Sequence, residues 1–525
     1  MSSTVSIPAP SLTLARTKSL LPLLLIAAPA IVKLLYYPTY IGSDDSYIHL
    51  QVAHNVLLHH TWGIAPYVRC NLSTSPLFTI LLIVLEFFFH THAVVVAQIL
   101  SALACSLGIF ALYRRTILIT GSTAAACLAA GTSALACNLW RWNGTLMEST
   151  FAFAAIAVTL LLFASPRLST SRASAAGLLL GLSVLLRPEL LCLAALCILY
   201  AAVFTPSSRT AVILPVLVAG LITPIAAWLL FSWSYFHQLL PTSYYAKTIS
   251  GILLWNPDIL HNYAELAAFS LFWPVLLLLL ILISLRAVPL RQTPRHLILP
   301  IASFLLISTF YYLRTPGLES PGRYLFPLFA LFSAALGDLF GLAMQTHPQR
   351  RWSLFCAIIL ALHGITSIVM NQRFIAPALQ AFQTQYFVSM RDASEYLAQH
   401  MQPTNCALVE IDIGVIAYTA NGRFLIADGG GLASPELDYQ SVSEQIAHAK
   451  PLYVVQSQGT QPGQWKDIYP GLHPVWNSRY RGHGISNTGF LYVNIYQVNL
   501  GEIKVVRPSS EPDPNAPKYW GKHPG

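Results

Sequence analysis

What most constrains this chain is its shortage of charge. Between Leu20 and Met370 apolar runs follow one another, separated by short polar stretches in which the cations sit singly or in small clusters. Charged residues make up 10% of the chain and the mean hydropathy is +0.57, against roughly 25% charge in a soluble globular protein. Backbone crossing lipid must satisfy its own hydrogen bonds, so such runs are expected to fold as membrane-spanning helices. The net charge of +9 does not point to nucleic acid. The basic residues form no patch; they punctuate the apolar runs as in a protein whose cations set its membrane orientation.

The cations order the spans. Arg16 and Lys18 hold the start of the first run, about Leu20–Tyr37, in the cytoplasm, and without a convincing cleavage site it reads as a retained signal anchor. Leu77–Phe89, about 13 residues, falls short of the ~20 a spanning helix needs. Were it to cross, Arg114-Arg115 would lie outside, so it is expected to be interfacial or re-entrant within a first external loop of about 38–92. Further spans follow over Ala93–Tyr113, Ser122–Leu139, Thr150–Ala164, Ala175–Leu186, Leu190–Phe204, Ala211–Phe231, Leu266–Leu285, Leu297–Leu313, Tyr324–Met344 and Trp352–Met370. The fold class expected is a polytopic α-helical membrane protein with about eleven transmembrane helices. Its N-terminus is inside.

From about Asn371 charges become frequent. A helical pattern over Met390–His400 precedes β-rich pieces at Cys406–Ile411, Arg423–Ala427 and Leu452–Gln456. Residues 1–371 are therefore expected to form the membrane domain, and 372–525 a small extracytoplasmic α/β domain whose tail, from Arg507, is rich in Pro and polar residues. The eight cysteines show no metal-ligand spacing, and most lie in apolar runs as small hydrophobes. Cys70 and Cys406 alone are expected outside the bilayer, where they could pair.

This layout gathers mixed charge at the outer face: Asp44, Asp45, Glu148, Glu189 and Glu319 with Arg69, Arg141, Arg187, Lys247, Arg314 and Arg323. The adjacent pair Asp44-Asp45 opens an amphipathic stretch in which Tyr47, Ile48, Val52, Val56 and Leu57 share a face, and His49, His54, His59 and His60 are expected on the polar one. Acids beside hydrocarbon are costly and read as functional; alternatively Asp44 caps its own helix. Together the charges suit transfer from a lipid phosphate. Cations hold the phosphate, a carboxylate takes the proton of an attacking hydroxyl, and the cations stabilise the leaving group. Duller readings stand beside this one: a local Arg187–Glu189 pair across Pro188, Arg141 and Lys247 as interface anchors, Glu148 serving a helix dipole. Asp44 and Asp45 could also hold a divalent cation (Mg, Mn or Ca) against a phosphate.

The order of motifs carries a resemblance. After the outer Asp44-Asp45 come Ser73-Thr74-Ser75-Pro76-Leu77, Asn143-Gly144-Thr145-Leu146-Met147-Glu148-Ser149, Leu186-Arg187-Pro188-Glu189-Leu190, Leu240-Pro241-Thr242-Ser243-Tyr244-Tyr245-Ala246-Lys247 and Gly322-Arg323-Tyr324-Leu325-Phe326-Pro327. Asp412-Ile413-Gly414-Val415 and Asp428-Gly429-Gly430-Gly431-Leu432 follow. The chain resembles the GT-C superfamily of integral-membrane glycosyltransferases, and within it the terminal arabinofuranosyltransferases of bacterial cell-wall assembly.

That resemblance implies an inverting transferase in the bacterial cytoplasmic (inner) membrane. It would take a sugar from a polyprenyl-phosphate donor to a cell-envelope glycan, lipid or protein. The base maps onto Asp44 with Asp45 beside it, and Glu148 onto the acid of the second external loop. Arg187, Lys247 and Arg323, with Tyr245 near them, map onto the donor phosphate; Arg69, His49, Trp142 and Glu189 are left as candidates for sugar or acceptor. Thr242 where the family carries Asn, and Asp428-Gly429-Gly430-Gly431-Leu432 where it carries Asp-x-Ala-Gly-Leu, leave sugar and acceptor open. The competing classes are a flippase or transporter of lipid-linked saccharides, whose charges would sit at the membrane midplane, a protein O-mannosyltransferase-like enzyme, and a non-enzymatic wall-assembly protein.

Overall fold

The computed structural model describes residues 20–36, 41–66, 68–165, 168–242, 255–285, 295–314, 324–326, 328–346, 351–410, 412–431, 433–434, 437, 441–482 and 489–503. Helices dominate to residue 400. Five helical stretches are long and apolar enough to cross a membrane: Pro76–Thr120, Ser208–Phe236, Arg295–Leu313, Leu328–Thr346 and Arg351–His400. The number rises to seven if each of two bent pairs is one span, and four shorter apolar helices stand beside them. The chain is a multi-pass membrane protein.

Close approach of backbones holds the bundle together. The Thr170–Leu186 and Ser207–Phe236 helices meet at Gly177, Gly181 and Gly220, where a Cβ on Gly177 would stand 2.2 Å from the Leu217 carbonyl oxygen. In lipid, small residues let helices gain contact that the hydrophobic effect cannot supply. The Ala93–Thr120 helix overruns its expected end and stops at Gly121, which takes the left-handed conformation usual for a C-terminal glycine. Arg115, expected in a cytoplasmic loop, is buried instead against Asp338 of the Leu328–Thr346 helix at 2.8 Å. The guanidinium also donates to the His296 carbonyl at 3.1 Å.

The short run at residues 77–89 forms the Pro76–Phe89 helix and reaches the Ala93–Thr120 helix through a turn at His90 (φ 47°). No break marks residue 371. Helix continues from Arg351 to His400 with wide turns at Asn371–Ile375 and Phe382–Tyr386, so the last membrane segment runs directly into the C-terminal domain.

That domain is a five-stranded mixed sheet of β1 (Cys406–Val409), β2 (Leu425–Asp428), β3 (Tyr453–Gly459), β4 (Leu472–Arg481) and β5 (Phe490–Val498) in the order β2-β1-β3-β5-β4. The pairs β1–β2 and β1–β3 are parallel, while β3–β5 and β4–β5 are antiparallel. Helices Ile413–Ala420 and Val442–Ala449 make the connections that parallel strands require. The sheet shares one apolar core with the first loop: Tyr47, Val52, Phe78 and Leu82 pack in it with Tyr386, Met390, Val409, Val415 and Ile495. Cys70 and Cys406, expected as a possible pair, form no disulfide with each other: Cys70 Sγ lies 3.9 Å from Thr242 Oγ1, and Cys406 is in β1.

Candidate active site

Ser43, in extended conformation, precedes the Asp44–His59 helix, so both acids fall in its first turn, where the helix dipole favours them. Asp44 does cap a helix, but one 370 residues away. Its Oδ2 accepts from the Gly414 amide and its Oδ1 from the Val415 amide, each at 2.8 Å. These amides belong to the first turn of Ile413–Ala420, where backbone donors have no partner within the helix. Gly414 is required by the approach: a Cβ there would lie 2.2 Å from the Asp44 carbonyl oxygen. Asp412, just ahead, sits at φ 58°, a left-handed conformation that Asp tolerates better than most residues.

Carboxylates converge at this junction. Asp412 accepts from Gln458 Nε2 at 2.7 Å and is hydrogen-bonded by Tyr386. Burial, then the neighbouring Asp412 charge, pushes Asp44 well above the usual carboxylate range, against the pull of the two amides; Asp45 adds to the rise. Burial also raises Asp412, and takes Glu410, with Asp412 next in weight, up to about 8. Asp44, Asp45, Glu410 and Asp412 are all half-buried. They form an acidic recess in which Asp44, Glu410 and Asp412 hold protons more tightly than carboxylates in water.

A second cluster adjoins it. Ser46 Oγ donates to the Thr145 carbonyl at 2.7 Å and lies 3.1 Å from Met147 Sδ. Between Thr145 and Met147 lies fully buried Leu146 at φ 55°, a strained conformation for a branched side chain of the kind that concentrates at functional sites. Glu148 follows. Its Oε1 accepts from Arg187 Nη1 at 3.1 Å, while Arg187 Nε donates to Glu189 Oε1 at 2.5 Å. Tyr311 donates to the same Glu189 oxygen and accepts from Arg187 Nη2 at 3.3 Å. Arg187, expected on the lipid phosphate, is thus enclosed by two acids, Ser149 and Tyr311, with the Tyr324 ring 5.3 Å from its Cζ. The local Arg187–Glu189 pair exists, and Glu148 extends it.

The other expected residues lie apart from these clusters. His49 is not on a polar face: it is buried with Nδ1 2.8 Å from Thr79 Oγ1, edge-on to Phe78. His54 bridges Glu86 at 2.7 Å and Asn421 at 3.0 Å, joining the first loop to the C-terminal domain. Arg69 is exposed, with Cζ 4.5 Å from the centre of the Tyr235 ring. Trp142 is buried beneath Arg141, and its indole nitrogen has no hydrogen-bond partner among the described residues. Tyr245, Lys247, Glu319 and Arg323 lie outside the described residues. Among the described residues no three or more His, Cys, Asp or Glu side chains are grouped to hold a metal ion.

Three residues escape a reading by composition. Asp412 and Glu410 look like ordinary surface acids of a polar domain until the fold turns them to Asp44. Lys33 had a signal: a lone cation in an apolar run is a functional candidate by default. It is buried in the Leu21–Tyr36 helix and donates to the Asn143 carbonyl at 3.2 Å, beside the loop that carries Glu148.

No protein-family profile matches this sequence, and no curated protein matches it. Solved structures do. Over 90% of this chain and 97% of its own, ArnT from Cupriavidus metallidurans bound to undecaprenyl phosphate aligns at TM-score 0.57 and 12% identity. The chain has the GT-C fold. The arabinofuranosyltransferase AftD from Mycobacteria aligns at TM-score 0.53 and 16% identity over 90% of this chain, which spans 40% of AftD. The Archaeoglobus fulgidus oligosaccharyltransferase tethered to an acceptor peptide aligns at 0.51 and 14%, over 84% of this chain and 69% of its own.

Proposed function

We propose that the protein is a glycosyltransferase that moves a sugar from a polyprenyl-phosphate donor to a cell-envelope acceptor. It would act at the outer face of the bacterial cytoplasmic membrane, with Asp44 as general base. The observation carrying this reading is the geometry of Asp44. It is a carboxylate at the end of a helix bundle, raised in proton affinity by burial and by Asp412, with both oxygens oriented by backbone amides. A base is most effective when its proton affinity approaches the working pH. The fold supports the class: ArnT, AftD and the archaeal oligosaccharyltransferase, all of this architecture, are described as bound to undecaprenyl phosphate, as an arabinofuranosyltransferase and as an oligosaccharyltransferase.

In the proposed step an acceptor hydroxyl oxygen attacks the anomeric carbon and the bond from that carbon to the phosphate oxygen breaks. The proton passes to Asp44, and polyprenyl phosphate departs with the electron pair. A single displacement of this kind inverts the anomeric centre. Glu148 and Glu189, oriented by Arg187, are assigned to accept hydrogen bonds from sugar hydroxyls. Lys247, Arg323 and Tyr245 are assigned to the departing phosphate, where cations stabilise developing charge.

The test is incubation of purified protein with a panel of radiolabelled polyprenyl-phosphate sugars and total envelope extract. Label is expected in an acceptor fraction from one donor class, with release of polyprenyl phosphate. Movement of an intact lipid-linked sugar across vesicles without release would favour a flippase and overturn the reading.

A further inference from the structure

The C-terminal domain does more than cover the bundle. Its Ile413–Ala420 helix begins at the carboxylate of Asp44, and the two amides aimed there come from consecutive residues, one to each oxygen. Each carboxylate oxygen offers two lone-pair directions. With one direction on each oxygen taken by an amide, the lone pairs left for an incoming hydroxyl have a fixed bearing.

The contact is built. Gly414 is the residue whose missing Cβ lets the backbone reach Asp44: a Cβ would also stand 2.8 Å from Asp44 Oδ2. The helix is held against the first loop beyond this contact as well. Tyr47 stacks on Phe387 and tilts against Tyr418, with ring centres 5.2 Å and 5.4 Å apart. Farther along, His54 meets Asn421.

We propose that Gly414 and Val415 are positioning residues for sugar transfer, their backbone amides fixing the direction from which Asp44 accepts the acceptor's proton. The C-terminal domain is then a component of the reaction centre rather than an appended binding module. This inference rests on the base role given to Asp44 above. Orientation errors of about 1 Å in a catalytic group cost up to about a hundred-fold in rate, whereas donor binding depends on residues elsewhere.

Gly414→Ala forces the two backbones apart while favouring helix by its propensity. Val415→Pro deletes the second donor in the first turn of the helix, where proline is tolerated. In the full-length purified protein each variant is expected to lower kcat ten- to a hundred-fold with the donor KM unchanged within about two-fold. Should Gly414→Ala fail to fold, Val415→Pro carries the kinetic test. Hydrogen–deuterium exchange of the 412–418 segment is expected to quicken in Asp44→Ala, which reads the contact without any turnover. A folded variant with wild-type kcat, a donor KM rising in step with the fall in kcat, or unchanged exchange in Asp44→Ala overturns the inference. A wild-type protein that transfers no sugar overturns the functional reading and this inference with it; an active wild type with unaffected variants overturns the inference alone.

Discussion

Glu410 shows how the acidic recess ties stability to pH. Its carboxyl is raised to about 8 by burial and then by Asp412, from about 4.3 in an unfolded chain. Between those values the folded protein keeps a proton that the unfolded chain releases. Stability is therefore fullest below about pH 4 and declines as pH rises through the window, levelling off above about 8. Asp44 and Asp412, also raised, act in the same direction. The melting temperature of the purified protein is expected to fall from pH 6 to pH 8.5, and Glu410→Gln should flatten that slope; a wild-type melting temperature that is level across the range contradicts it. In the proposed mechanism Asp44 must lose its proton to act, so its raised proton affinity places the acidic limb of kcat/KM well above pH 4. A pH–rate profile of the wild type with its limb near 4 would disagree. At this scale the sequence was informative about Asp44 and Asp45, conspicuous as paired acids in a chain poor in charge. It was silent about their partners, because an amide 370 residues distant leaves no local pattern. His49 misled for the opposite reason: helical periodicity puts it on a polar face, and the Ser73–Thr79 turn supplies hydroxyls that let it be buried.

Among the elements, the helices of the bundle were legible as apolar runs, while their ends were not. Arg115 reads as the basic end of a span and proves to be an internal counter-ion, because Asp338, four residues from Ala334 in another apolar helix, gives it a partner away from water. Replacing Arg115 with Leu leaves Asp338 buried with His296, 3.9 Å away, in place of the guanidinium, at a cost of up to about 3–5 kcal/mol. Arg115→Leu combined with Asp338→Leu should recover most of that loss. Thermal unfolding in detergent of the single and double variants checks this, and a double variant no better than the single contradicts it. A bulkier change at Gly177 acts on geometry alone: Gly177→Val must separate the Thr170–Leu186 and Ser207–Phe236 helices, so a clear drop in melting temperature is expected, and an unchanged one would mean the helices do not meet there. In the C-terminal domain β1, β2 and β3 show as short apolar pieces. Strand β4 does not, since it is an edge strand with largely exposed residues, and its alternation of Trp476, Ser478 and Tyr480 with Asn477, Arg479 and Arg481 is confined to one half and includes a polar Ser on the inner side.

At the scale of the whole molecule, a continuous helix from Arg351 to His400 joins the bundle to the sheet domain, and the first loop and that domain bury one core between them. Composition alone divides the chain near residue 371, where charge becomes frequent. The fold instead joins the two parts, because the apolar faces of the Asp44–His59 and Phe387–His400 helices are buried in one core with the Ile413–Ala420 helix between them. Catalysis by Asp44 is the claim on which the rest depends, and release of polyprenyl phosphate in a single turnover tests it most directly. Full-length wild-type protein and Asp44→Asn, both loaded to saturation with the active donor, would be mixed with acceptor and quenched over time. Loss of a general base predicts release about 10²–10⁴-fold slower in the variant with donor binding retained. Equal release rates in the two proteins would contradict it.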